Sequence, residues 1–158
     1  TNVLTVNPAL VSGYPVDTYI AIHVTGDITG SNAGITVNPK VRLTIYFDGN
    51  IDVRTAKLVN QSPSSTNPFA GNLKFYGITP TSGTQQIHLN SSAGRPFVAA
   101  TFYAPGADVV FVGGADFSGQ VISNSFYAPG NIIWHYDRAL NDGVVPTPTP
   151  SRCPTCQR

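Results

Sequence analysis

The chain has 158 residues, a formal net charge of +1 and only 11% charged side chains, none of them Glu. Charge this sparse and evenly spread gives no hold on nucleic acid or an anionic membrane, and no apolar run approaches the ~20 residues of a membrane-spanning helix. One domain with a real core is expected at this length. Its wealth of Asn, Thr, Ser, Gly and Pro, against Val, Ile, Tyr and Phe, is the composition of strands and turns.

The lead-in, residues 1–18, carries Leu4, Val6 and Val11 interrupted by Pro8, Gly13 and Pro15, and reads as a short edge strand or a cap. The chain opens at Thr1 without Met, as a processed protein or an excised domain does. Residues 19–24 alternate, Ile20, Ile22 and Val24 to one side and Tyr19, Ala21 and His23 to the other. Residues 41–47 alternate more cleanly, with Val41, Leu43, Ile45 and Phe47 inward. Asp48-Gly49-Asn50 then turns the chain and Ile51 resumes a strand. Residues 62–72 read as a loop. Phe75-Tyr76 and Ile87 follow on short strands. Two copies of Phe-Tyr-Ala-Pro-Gly come next, at 102–106 and 126–130, 24 residues apart.

Repetition at 20–50 residues is the mark of a solenoid, whose units bury their apolar faces only by stacking. The expected fold is all-β: a right-handed parallel β-helix of about five coils over residues 19–142, with an antiparallel β-sandwich as the alternative. Stacked copies predict an inward column of Ile22, Ile45, Phe75, Phe102 and Phe126. They predict a second inward column of Ile28, Ile51, Val109 and Ile132, and an outward column of His23, Tyr46, Tyr76, Tyr103 and Tyr127. Asp137 is expected to cap one helical turn, and Trp134 to Leu140 to cap the stack. Residues 143–158 alternate Pro and Thr and end in Cys-Pro-Thr-Cys, an extended tail.

Gly113 to Ser123, then Phe-Tyr-Ala-Pro-Gly-Asn, then His135-Tyr136-Asp137-Arg138-Ala139-Leu140 resembles a bacterial domain of uncharacterised role. That domain lies at the C-terminal end of PilX-like and other type IV pilus-assembly-associated surface proteins. The resemblance implies a right-handed parallel β-helix closed by the His135, Tyr136, Asp137 and Leu140 signature, and a place at the bacterial cell surface. It implies a surface or pilus-linked role and supplies no catalytic residues; the expected partners are proteins at the cell surface or in a pilus or filament, with self-association left open. A looser likeness is to bactofilins, β-helices that polymerise, although their coils are shorter and more uniform.

Candidate chemistry is thin. His135 and Asp137, two apart, make half of an acid–base pair; a cap and a backbone contact explain them as well. Asp108 and Asp116 would need to face each other across neighbouring turns to act as a glycosidase pair. The tyrosine column, Tyr46, Tyr76, Tyr103 and Tyr127, is the candidate binding surface, for a protein or a glycan. Cys153 and Cys156 lack the helix of a redox motif and the second ligand pair of a zinc site, and read as a disulfide candidate at an extracellular terminus. Asn60 and Asn90 head glycosylation acceptor triplets. No metal set and no cofactor motif is expected. The leading expectation is a non-enzymatic extracellular domain for adhesion or assembly. The rivals are a carbohydrate-binding or carbohydrate-cleaving β-helix and a self-polymerising structural protein.

Overall fold

The computed structural model describes residues 3–7, 9–15, 17–30, 34–55, 58–60, 69–78, 83–91, 97–137 and 140. Cys153, Cys156 and the Pro-Thr tail lie outside them. The described residues form fourteen strands: β1 Val3–Val6, β2 Leu10–Val11, β3 Tyr14–Pro15, β4 Thr18–Val24, β5 Ile28–Gly30, β6 Gly34–Val37, β7 Val41–Phe47, β8 Ile51–Arg54, β9 Leu58–Asn60, β10 Leu73–Gly77, β11 Gln85–Asn90, β12 Phe97–Val112, β13 Ala115–Tyr127 and β14 Ile132–His135. A 3₁₀ turn, Ala70–Asn72, precedes β10.

Parallel pairing dominates. β4, β7, β10 and β12 lie side by side, as do β5, β8, β11 and β12, and β13 and β14 extend the same nine-stranded sheet. β1, β6 and β9 make a second, three-stranded parallel sheet. The one antiparallel pair among the described residues is the two-residue ribbon of β2 and β3. An antiparallel sandwich does not fit this pairing. The large sheet curls because β12 belongs to two parts of it. Residues 101–103 pair with β10 and residues 107–112 with β11, and the register with β13 slips between Ala104 and Asp108. The first Ala-Pro-Gly is therefore a bend within a long strand.

Alternation explains which side faces the core. In β7 the pattern is buried for Val41, Leu43, Ile45 and Phe47 and open for Arg42 and Tyr46, as a strand with one covered face requires. The column Ile22, Ile45, Phe75 and Phe102 stacks as expected, register by register. Phe75 and Phe102 are parallel, with centroids 4.6 Å apart, close to the spacing of adjacent strands.

The expected columns fail at the last turn. Phe102 pairs with Val121, 19 residues on, and Phe126 pairs with Val109. Tyr103 stands beside Ile122, and Tyr127 beside Val110. The second inward column runs Ile28, Ile51, Ile87, Val109 and Phe126, while Ile132 pairs with Ala115. The final turn is shorter than 24 residues, so the two copies of the phrase fall on different parts of the sheet. Pairing follows burial of alternate side chains, and an identical phrase has no power to set register. The first copy lies wholly inside β12, whereas β13 ends at Tyr127, before the second Ala-Pro-Gly.

The lead-in supplies β1, the edge strand of the three-stranded sheet, with Leu4 beside Ile35. At the other end Trp134 packs over buried Phe117, centroids 4.7 Å apart, and meets Phe126 edge-on at 5.7 Å. Buried Asn60 ties the interior together: its amide donates to the carbonyls of Phe69 (2.9 Å) and Ala99 (3.0 Å).

Candidate functional site

Tyr46, Tyr76 and Tyr103 lie at successive register positions of β7, β10 and β12, projecting from the side opposite the core. Tyr46 and Tyr76 stack at 5.5 Å, and Tyr76 and Tyr103 meet at 5.7 Å with their planes tilted. His23 of β4 begins the row and bonds through Nε2 to the Asp48 carboxylate at 2.8 Å. Ile122 of β13 continues it where Tyr127 was expected. Tyr127, 63% exposed, belongs to another part of the sheet. A neighbouring row contains Thr44, Lys74, Thr101 and Gln120. Further along, the Arg42 guanidinium lies over the Tyr19 ring at 5.0 Å.

This geometry decides what the tyrosines can do. A sugar stacks on a free ring face. Here Tyr76 has a tyrosine ring on each side, which limits access to its faces. The row suits cross-strand stabilisation and polar contact with a protein surface better than a sugar platform.

The two carboxylate arrangements do not assemble. Asp108 pairs in register with Ser125, beyond the bend of β12, whereas Asp116 pairs with Phe97 and Ile133 before it. They occupy different columns. Asp108 accepts hydrogen bonds from Ser125 Oγ (2.6 Å) and Asn124 Nδ2 (3.0 Å), and these hold its carboxyl below the usual carboxylate range, the Ser125 bond foremost. A carboxyl lowered in the folded state contributes stability above its unfolded value, and loses it as pH falls through the folded value. Ser125→Ala is therefore expected to raise the Asp108 pKa toward the ordinary range, read as a shifted carboxyl ¹³C titration. An unchanged midpoint would contradict this assignment.

His135 and Asp137 do not form a pair either. β14 ends at His135, whose exposed ring lies 6.4 Å from that of Phe97. The Asp137 carboxylate accepts from the backbone N–H of Ala70 at 2.9 Å, and its own carbonyl accepts from Leu140 N–H at 3.0 Å. The signature residue thus begins a turn with its carbonyl, while its side chain fastens the C-terminal segment to the 3₁₀ turn 67 residues earlier. Tyr136 is exposed beside it. Both triplet asparagines are engaged: Asn60 as above, and Asn90 Nδ2 on Asp52 Oδ1 at 2.7 Å.

A feature the sequence reading passed over emerges at the last turns. Residues 117–136 contain no Asp, Glu, Lys or Arg. Within them Ile122, Phe126, Tyr127, Ile133, Trp134 and Tyr136 are all exposed. The signal was present as a charge-free stretch, masked by the assumption that Phe126 continues the core.

The described residues define a class: an all-β domain of mostly parallel strands in a curled sheet, with one run of exposed apolar side chains on the last strands. The chain belongs to the family described as a domain of unknown function (DUF7305), whose model matches residues 15–143. No curated protein and no solved structure matches the chain.

Proposed function

We propose that this domain is a right-handed parallel β-helix that makes protein–protein contacts at the cell surface, in adhesion or in the assembly of a pilus or filament. Register supports the solenoid. Successive strands return to β4, β7, β10, β12 and β13 positions in parallel, with inward and outward rows kept through the stack. One observation carries the contact role: the concentration of exposed aromatic and branched side chains in the charge-free stretch 117–136. Patches of this kind mark interaction sites, and interface centres are depleted of charge and rich in aromatics.

The enzymatic reading loses the Asp108–Asp116 pair to the register and the His135–Asp137 pair to the bond that Asp137 accepts from Ala70. The carbohydrate reading is weakened where Tyr76 packs between Tyr46 and Tyr103. Neither loss touches the contact surface at the last strands.

The test uses cells that make the protein. Antibody labelling of intact cells is expected to find it outside. A chain carrying both Ile133→Lys and Trp134→Lys is expected to be exported and folded, by protease resistance, yet shed into the medium. Recovery of the wild-type chain only from the cytoplasm would sink the proposal, as would full surface retention of the double variant.

A further inference from the structure

We propose that the surface at the last strands is closed by a second copy of this chain, giving a two-fold dimer in which β14 of each copy fills a gap in the other. This rests on the solenoid reading above and names the partner for its contact surface.

The argument starts from a strand count. β13 pairs with β12 along residues 97–104 and 108–110 of the latter. On its other side, β14 covers only Ala115 to Ser118. From Gln120 to Tyr127, β13 has no further strand among the described residues. Among the described residues the last turn therefore ends in a step one strand high, β14 forming the raised part and 120–127 the lower. An edge of this kind offers alternate N–H and C=O groups to another strand, and proteins that leave one open usually place Lys, Pro or an inward charge on it. Gln120-Val121-Ile122-Ser123-Asn124-Ser125-Phe126-Tyr127 contains none of these.

The step also decides between modes of self-association. In a head-to-tail stack, β4 of the next copy would lie on residues 121–123. Its β1, which precedes β4 by one part of the same turn, would then need the level that β14 already fills. That register of stacking is blocked by one strand. A two-fold arrangement has no such conflict. Turning the second copy over reverses its strand direction and sets its raised β14 above the lower edge of the first, and the reverse, in two equivalent antiparallel pairings. A self-complementary patch of this kind is what a two-fold interface requires. Both sides of the step are apolar, Ile122 and Phe126 below and Ile133 and Trp134 above. The absence of charged side chains from 117–136 lets identical surfaces meet without like-charge repulsion. The product is a closed dimer, and no filament grows from this contact.

Sedimentation equilibrium of the full chain is expected to give a dimer at micromolar concentration. Ile122→Lys and Ile133→Lys, on opposite sides of the step, are each expected to weaken it at least about tenfold, as burial of an unpaired charge does, while Leu10→Lys at the far end leaves it unchanged. The part of 120–127 that the four-residue β14 of the partner covers should exchange slowly in the dimer and quickly in the Lys variants, with β7 and β10 protected in both. A wild-type monomer, an open series of larger species, or a dimer indifferent to both substitutions overturns the proposal. Protected β7 and β10 amides in such a monomer would leave the solenoid reading standing, and fast exchange there would remove that reading as well.

Discussion

Phe102→Ala is expected to destabilise the domain by about 3–5 kcal/mol, the range for removing a fully buried aromatic, while Phe126→Ala costs about 1 kcal/mol. The two residues occupy the same place in the same repeated phrase, so any difference between them reports structure alone. Phe102 has 0% exposure, stacks on Phe75 and lies 6.4 Å from Phe117. Its removal leaves a cavity between two neighbours that are themselves held in register by parallel strands, and such a site collapses poorly. Phe126 is 44% exposed and meets only the rings of Phe111 and Trp134 among the described aromatics. Urea denaturation of the two variants measures the contrast. At roughly 2–4 °C per kcal/mol for a domain of this size, Phe102→Ala should melt about 6–20 °C lower. Equal losses at the two positions would mean that Phe126 is a core residue and that the register of the last turn is wrong. In the proposed dimer, the comparison belongs at concentrations below dissociation, since association stabilises the folded chain.

The same pair of residues shows what was legible in the sequence. Alternation in Val41–Phe47 identified the buried face, because a strand with one covered side admits little else. Ile22 and Ile45 could be aligned because each sits the same step before a turn glycine, Gly26 and Gly49, and Phe75 because it carries the Phe-Tyr pair of Phe102 and Tyr103. Literal repetition was the weaker guide. Phe-Tyr-Ala-Pro-Gly recurs because a bulky pair followed by a bend is useful in two settings, one inside β12 and one after β13. Spacing in sequence reports register only when the intervening turn has constant length, and here Phe102 meets Val121. A clue was available in the burial rule itself: Val121, Ser123 and the charge-free residues around them form a strand-like run before Phe126, and the pairing uses that run first.

The candidate surface was legible in part. The row Tyr46, Tyr76 and Tyr103 follows from alternation, so its outward side was readable. Its chemistry was not, because ring orientation depends on neighbours that only the fold supplies. The roles of Asp137 and Asn60 were hidden for the same reason. Each makes a bond to a residue distant in the chain or across a loop, and local spacing carries no trace of such partners. The open edge of β13 could not be read at all without the pairings, since an edge is a property of what lies beside a strand.

Gly119→Ala is expected to cost about 2–5 kcal/mol, and the reason lies in how β13 passes from its covered half to its open half. Gly119 pairs with Ala100, immediately after the last residue covered by β14. Its φ is +145°, a conformation that L side chains rarely adopt. A Cβ there would stand 2.0 Å from the Ala100 carbonyl oxygen and 3.1 Å from the Ala70 side chain. The conformational penalty is about 1–2 kcal/mol and overpacking adds about 1–3 kcal/mol. Backbone must move to relieve the first contact, because a carbonyl oxygen within a strand has no rotamer to change. Displacement of Ala70 would in turn pull its N–H from the Asp137 carboxylate, the bond that fastens the C-terminal segment. Gly119→Ala should therefore accelerate amide exchange at Ala70 beyond what its loss of global stability accounts for. Gly26→Ala is the comparison: a Cβ at Gly26 meets nothing within 4 Å, so its change should stay within about 0.5 kcal/mol. A Gly119→Ala protein as stable as the Gly26→Ala protein would show that β13 can cross this point without the close approach to β12, and the step between its two halves would lose its structural cause.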